Sequence, residues 1–547
     1  MTRENAALSG LLAVLCVAVF ALAGRQLDAP GLYYDEVIQA TPASEFLREG
    51  GEPLSIPGAQ NTWLFGGWFP VLTQPYMGAL KSQLLIPSFA VFGTSRETLR
   101  LVTLAWSCVG LGLLALWTRR MYGPGAAALV AVLVALDPSF LFVSRHDWGS
   151  VSLAMVCRGG GLLWLAAGWE RRSVGRLAVG GLLMGLGLYN KIDFVGFLAG
   201  AGIALVLTVP RVFWGELRGR TASLGAVTTG FAIGAAPMLL AVTGILSATQ
   251  AMLRSQQTRS DAISEKIATW THMLDGSYFH RLMLSGGRFD GLADVHGAAS
   301  GPFLWLFAVS VVGLGLWLWR DARDGRPWRA QAFAWISTLG IAAILLLIPR
   351  AARIHHTMNV YPFPHLVVAL FLVRLWTARP GSAWIGRGLA TAATAAIVLG
   401  NVWIDTRILE TLAESGGRGR WSGALEEWVQ TVPNDATVVS LDWGFHAPLL
   451  FLRPDLSLEE PVWKIHANRG RPFTIEGTPD HVYLIQERGY EVFPIGSALL
   501  DAVTHLPMGD VRIMKHVDRK GGPAFISIQF ARPHQLVYRG SFEVRLK

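Results

Sequence analysis

The sequence predicts a polytopic α-helical membrane protein of about eleven transmembrane helices, followed by an α/β domain outside the membrane. Three observations carry this expectation. Only 16% of the 547 residues are charged, against about a quarter in an ordinary soluble domain, and 52% are hydrophobic. Apolar runs of roughly 18 to 20 residues, the length that crosses a bilayer, recur along the first part of the chain. From about residue 405 these runs cease, and short β-like stretches alternate with helical ones.

Charged residues punctuate the apolar runs and place helices near 8–24, 98–118, 125–142, 149–169, 177–189, 194–210, 222–246, 302–319, 331–348, 358–376 and 384–403. The first run also fits a cleaved signal loosely, but Glu4 beside Arg3 weakens its basic end. The many later spans favour an uncleaved first helix. Arginines collect in alternate loops: Arg119 and Arg120; Arg171, Arg172 and Arg176; Arg211, Arg218 and Arg220; Arg320, Arg323, Arg326 and Arg329; Arg374, Arg379 and Arg387. The short loops between them hold only Arg145, Lys191, Arg350 and Arg353. The positive-inside rule puts the arginine-rich loops and the N-terminus in the cytoplasm and the C-terminus outside.

Two outer loops are long, at 25–97 and 247–300. The apolar piece at 74–93 reads as a helix lying in the interface, because counting it as a span would invert every later helix. The second loop is long enough for a lid or a further interfacial helix. The chain therefore divides into a membrane domain, 1–404, and an outer domain, 405–547. In the latter, strands are expected at 436–440, 481–485, 525–530 and 535–538, and helices at 422–432 and 495–505. Cys16, Cys108 and Cys157 all lie in apolar runs, which speaks against disulfides and thiol chemistry.

The residues able to carry chemistry cluster on the outer side. Gly31-Leu-Tyr33-Tyr34-Asp35-Glu36 follows the first helix, with tyrosines suited to the interface and two adjacent carboxylates. As general base, Asp35 would take the proton of a weakly nucleophilic hydroxyl, with Glu36 supporting it or holding the acceptor. An ordinary carboxylate is ionised at neutral pH without special tuning. The plain alternative is the solvated start of an interfacial helix, where acids favour the first turn.

The string Ser144-Arg145-His146-Asp147-Trp148-Gly149 packs three ionisable types between two apolar runs. Arg145 can bind phosphate through two N–H groups, and His146 and Asp147 can steer a proton or an acceptor hydroxyl. Its alternative is an interfacial helix break anchored by Trp148. A leaving phosphate requires fixed cations, for which Arg145, Lys191, Arg350, Arg353, His355 and His356 are candidates. Lys191 reads equally as a loop residue neutralised by Asp193, and the 350–356 group as interfacial solvation. Arg158 falls mid-span, where it must pair or line a cavity. Asp442-Trp-Gly-Phe-His446 echoes Asp147-Trp-Gly149, which reads as the coincidence of a strand-end turn. No Walker loop or GxGxxG stands in a strand–turn–helix setting, so nucleotide-sugar use has no support.

Taken in order, Tyr34-Asp35-Glu36, Phe92-Gly93-Thr-Ser-Arg96 with Leu99-Arg100-Leu101, Arg119-Arg120-Met-Tyr-Gly123, Asp137-Pro138 and Ser144-Arg145 resemble the GT-C superfamily. Within it they are similar to the protein O-mannosyltransferase and lipid A aminoarabinose transferase group. The resemblance covers roughly residues 8–200 and continues more loosely to about 376. It implies inverting transfer of a sugar from a polyprenyl-phosphate donor to a hydroxyl of protein, lipid A or a cell-surface glycan. The setting it implies is the outer face of a bacterial inner membrane, without nucleic acid. It places the family's first acidic residue at Asp35 and the second at Asp147. It also places a basic cluster before a helix like that at Tyr361-Pro362. The His-Asp-Trp-Gly wording departs from the family pattern and leaves the role of His146 open. The resembled group implies no cofactor and no metal, although Asp35, Glu36, His146 and Asp147 are acceptable ligands for a divalent cation. Two rival readings are a transporter of lipid-linked glycan and a non-catalytic relative that binds glycan through its outer domain.

Overall fold

Long apolar runs with polar ends fold as helices, and their caps are written locally. The computed structural model describes residues 3–53, 58–209, 219–242, 246, 263–289, 291–348, 352–377, 383–467, 472–507, 509–539 and 544–546. Among these, seven helices are long and apolar enough to cross a membrane, and two bent helix pairs bring the number to nine. Together with the shorter Val174–Asn190 and Phe194–Thr208, they coincide with the eleven expected spans. The helix Arg96–Tyr122 illustrates the local logic. Ser95 accepts the backbone N–H of Thr98 at its start, Arg119 and Arg120 oppose the dipole at its end, and Gly123 at φ 91° ends it.

Two expected straight spans are broken. Pro124–Ala135 and Pro138–His146 meet at 62°, because Pro138 has no N–H to continue the ladder and Asp137 caps a new helix by accepting from Phe140. Ile354–Val360 and Phe363–Trp376 meet at 43° around Tyr361 and Pro362. Arg158 lies beside this second break. It donates to the carbonyls of Met358 and Tyr361, with its guanidinium carbon 5.2 Å from the Phe197 ring centre. The buried arginine thus satisfies backbone acceptors that the bend would leave without donors.

Val174–Asn190 and Thr221–Leu240 run side by side at backbone contact. A Cβ on Gly181 would lie 2.2 Å from the Val227 carbonyl oxygen, and one on Gly230 would lie 2.1 Å from that of Ala178. Small residues permit this approach, and the dispersion contacts it creates hold helices together where lipid supplies no hydrophobic driving force.

The loop at 25–97 folds over the helix ends on the side that carries the C-terminal domain. It contains the short helices Tyr34–Val37 and Thr41–Leu47, then a hairpin of Gln60–Leu64 and Gly67–Gln74. The sequence reading did not anticipate the hairpin. Leu80–Phe92 follows; its 13 residues span about 20 Å at 1.5 Å per residue, too short for a bilayer. Of the 247–300 loop, 247–262 and 290 lie outside the described residues. The remainder forms Ile263–Leu274 and Tyr278–Leu284.

The last helix, Ala383–Ser415, is 33 residues long and continues three turns past the expected boundary at 404. Lys520–Glu414 and Arg418–Asp518 ion pairs tie its end to the domain that follows. That domain is built on a five-stranded sheet in the order Ser457–Glu459, Thr437–Ser440, His481–Gln486, Pro523–Phe530, Val511–Val517. The first three strands are parallel, and Pro523–Phe530 runs antiparallel to both of its neighbours. A second sheet pairs His534–Arg539 with Pro472–Gly477 and Val544–Leu546. Ala424–Val429 and Ile495–Val503 occupy the positions where helices were expected.

Candidate active site

The helix breaks, the first loop and the C-terminal domain converge on Asp35. Tyr33 and Tyr34, expected at the lipid interface, are instead buried against tryptophans. Tyr33 lies 4.9 Å from Trp421 and 5.6 Å from Trp148, and Tyr34 lies 4.3 Å from Trp443, ring centre to ring centre. Trp148 and Trp421 meet edge to face at 3.8 Å, with Phe279 and Phe289 closing the wall. These rings come from four separate stretches of chain and seat the Tyr34–Val37 turn rigidly.

On that turn the two adjacent carboxylates have opposite fates. Glu36 is buried in a two-point ion pair with Arg100, whose Nε is 2.6 Å from Oε1 and Nη2 2.9 Å from Oε2. Glu36, expected to support the base or to hold the acceptor, has both oxygens engaged by this pair. Asp35 is partly exposed, and its carboxylate makes no hydrogen bond or ion pair among the described residues. Burial pushes its carboxyl above the usual range, and Lys191, Arg353, Arg420 and Lys81 offset this only in part. Those cations favour its ionised form.

Asp147 stands one lysine away. Its Oδ2 is 3.1 Å from Lys81 Nζ, its Oδ1 accepts from Ser152, and Lys81 also donates to the Glu36 carbonyl. Asp147, expected as the second acidic residue of the site, thus holds Lys81. Arg145 is fully buried and donates to the carbonyls of Gln26 and Ala29. Arg145, expected at a phosphate, here fastens the turn after the first helix. His146 is enclosed by Phe142, Trp148 and Phe279, with neither ring nitrogen partnered.

The other basic candidates do gather. Lys191 Nζ is 3.5 Å from Asp193 Oδ2, which also meets His356 Nδ1 at 2.8 Å, and the His355 and His356 Nε2 atoms are 3.0 Å apart. Burial raises the Asp193 carboxyl, but Lys191, His356 and Asn359 more than reverse this, so it sits below the usual range. Arg353 lies with its guanidinium carbon 4.1 Å from the Phe289 ring centre and makes no ion pair among the described residues. Arg350 lies outside the described residues.

Gly149, at φ 65°, lets Lys191 and His355 close in. A Cβ there would lie 2.7 Å from Lys191 Nζ and 3.0 Å from His355 Cδ2. Gly149→Ala is therefore expected to push Lys191 out of place, with a backbone cost of about 1–2 kcal/mol for the left-handed residue. A melting curve that falls by more than the backbone cost would show that the packed Lys191 and His355 resist the added methyl.

Arg420 escaped the sequence reading, as did Lys81 and the contribution of Trp443. Arg420 stands with its guanidinium carbon 5.9 Å from the Trp443 ring centre, its Nε is buried without a partner, and its charge reaches both Asp35 and Tyr33. The run Gly417-Arg-Gly-Arg420-Trp421, immediately after the last helix, was the available signal. The Asp442-Trp443 string, read as a coincidence, places its tryptophan against Tyr34. Its aspartate accepts the N–H groups of Trp443, Val492 and Phe493. Among the described residues no three His, Cys, Asp or Glu side chains are grouped as metal ligands.

No protein-family model matches the chain, and no curated protein matches it. Solved structures do. The apo crystal structure of ArnT from Cupriavidus metallidurans superposes with a TM-score of 0.57 at 13% identity, covering 95% of this chain and 98% of that one. The same ArnT bound to undecaprenyl phosphate gives 0.56 at 13% identity, covering 96% and 98%. The Archaeoglobus fulgidus oligosaccharyltransferase matches more distantly, with a TM-score of 0.47 at 14% identity over 83% of this chain and 64% of that one. The end-to-end likeness to ArnT, with the order of spans and the domain that follows them, shows that this chain is a multi-pass membrane protein of the GT-C fold.

Proposed function

We propose that the protein is a glycosyltransferase that moves a sugar from a polyprenyl-phosphate donor to a hydroxyl of a protein, a lipid or a cell-surface glycan. The observation that carries this reading is a contrast within one cluster. Glu36, Asp147 and Asp193 are all held by cations, whereas Asp35 is open and unpaired beside the unpaired Arg353 and Arg420. An accessible base beside fixed positive charge is what displacement of a phosphate by a hydroxyl requires.

Asp35 takes the acceptor's proton as the oxygen attacks the anomeric carbon. The bond from that carbon to the phosphate oxygen breaks, and its electron pair leaves with the lipid phosphate. Arg353, Arg420 and Lys191 stabilise the charge that grows there. Attack opposite the leaving group inverts the anomeric centre. All the positive charge in this account comes from side chains, so it calls for no metal. The undecaprenyl phosphate held by ArnT supports a donor of the same class for this chain. The distribution of arginines supports a site on the outer face of the membrane, and the likeness to ArnT of Cupriavidus metallidurans supports a bacterial inner membrane.

Transport of the lipid-linked glycan is a second reading, favoured by the two broken helices. Against it, the central charged group at each break is tied to the helices themselves: Asp137 meets Tyr361 and His365, and Arg158 donates to backbone carbonyls. Purified protein given a polyprenyl-phosphate sugar and a mixture of acceptors separates the two. Release of free polyprenyl phosphate with sugar on the acceptor is expected, and in Arg353→Met kcat should fall more than the donor KM rises. Translocation of intact donor without bond cleavage would establish the second reading instead.

A further inference from the structure

The hairpin of the first loop lies beyond the Asp35 site, and the proposed reaction does not use it. Its strands pair Trp63 with Trp68 and Leu64 with Gly67, and Phe65 and Gly66 form the turn with φ of 55° and 83°. No ionisable side chain occurs at 60–74. At the tip Trp63 is 62% exposed, Leu64 42%, Phe65 82% and Trp68 38%. The base, by contrast, is anchored. Leu72 and Thr73 are buried, Phe69 meets Phe46 edge to face at 5.7 Å, and the Val71 carbonyl accepts from the Tyr189 hydroxyl. Single exposed apolar residues need no explanation, but four large ones on one rigid, uncharged tip do.

The base also fixes where this tip stands. Tyr189 is next to last in its helix, and the Tyr76 carbonyl accepts the N–H of Ile192, just before the next helix begins. The second strand packs against Thr221–Leu240, which runs parallel to Val174–Asn190, as the paired close approaches of Gly181 to Val227 and Gly185 to Phe231 require. Leu239 and Leu240 therefore finish at the level of Asn190. With Ile192 and Val195 they present exposed apolar side chains there. The base of the hairpin is thus tied to the lipid-facing rim of the bundle. Tryptophan and phenylalanine on an uncharged ribbon at that level suit the boundary between head groups and acyl chains.

We infer that the 60–69 hairpin is a membrane-inserted anchor, its Trp63, Phe65 and Trp68 side chains seated in the leaflet on the side of the C-terminal domain. It sets the height of the first loop, and so of Asp35, relative to the lipid surface.

The test uses full-length protein in vesicles of phosphatidylethanolamine and phosphatidylglycerol, with Cys16, Cys108 and Cys157 replaced by Ala. A spin label at Phe65→Cys, a position with little packing to lose, is compared with one at the exposed Glu49→Cys. At 65, collision with oxygen should rise and collision with an aqueous nickel chelate should be largely lost relative to 49. Equal nickel access at the two positions would overturn the inference by placing the tip in water. Protection from both reagents would overturn it equally, by placing the tip under protein. Unmutated protein supplies the second measurement: photo-crosslinking from a lipid with a diazirine near its head group should label 60–69, and an unlabelled hairpin would refute the anchor.

Discussion

Replacement of Asp35 by Asn is expected to slow sugar transfer by about 10²–10⁴-fold, the range over which positioned general bases act, while leaving the protein at least as stable as before. The two halves of this expectation have one cause. Burial raises the Asp35 carboxyl, so the folded protein binds that proton more tightly than the unfolded chain does. Stability linked to Asp35 is then present below the unfolded carboxyl's pKa and is lost as pH rises through the folded one. At neutral pH the ionised carboxylate is a cost to the fold that the reaction requires, and asparagine removes both.

The same sign governs the pH profile. The acidic limb of kcat/KM should lie above the ordinary aspartate value of about 3.9. Lys191→Met, which removes the largest of the offsetting charges, should move that limb further up. Two results would count against Asp35 as base: transfer that survives Asp35→Asn with its pH profile unchanged, or a limb that stays put in Lys191→Met. A fall in Tm for Asp35→Asn would show instead that the carboxylate has a structural partner.

The second large effect falls on stability. Arg100→Met should destabilise the membrane domain by about 3–5 kcal/mol, the usual cost of leaving one member of a buried ion pair alone. Arg100 and Glu36 are both fully buried, and Arg100 Nη1 also donates to the Leu27 carbonyl at 2.5 Å. Its loss therefore leaves a carboxylate without a counter-charge beside Asp35. Glu36→Gln alone should be nearly as harmful, because the guanidinium is then unpaired. The double variant Glu36→Leu/Arg100→Met removes both charges and should recover much of the stability, as apolar replacements of buried pairs do. Denaturation in detergent micelles, read by tryptophan fluorescence, measures all three. Additive losses in the double variant would mean that the two side chains act independently and that their contact is incidental.

How much of this was legible beforehand differs between fold and site. The helices could be read because a bilayer imposes length and apolarity on each span separately, so every span carries its own signal. The break at Asp137-Pro138 was legible in principle as well, since Pro and a capping aspartate are adjacent there, but the continuous apolar run hid it. The hairpin at 60–74 was missed because strands of 5 and 8 residues, rich in aromatics on both faces, show no alternation.

The site was less legible, because side-chain type alone does not say which charges are already paired. Asp35 and Glu36 are indistinguishable as neighbours in a sequence; Arg100, 64 residues away, separates them. Arg145 and Arg353 are likewise both arginines beside a span. One ends on the backbone of a turn and the other remains free over Phe289.

By itself, then, the chain order determined that this protein crosses a membrane many times, carries a mixed α/β domain after its last span, and gathers acids and bases on the loops of one side. Those properties follow from local composition and period. Only the tertiary structure decided which carboxylate stands open, and that Arg420 and Trp443, some four hundred residues downstream, complete its surroundings. Pairing of charges is a matter of distance in space, and burial makes each unpaired charge costly enough that the fold leaves very few.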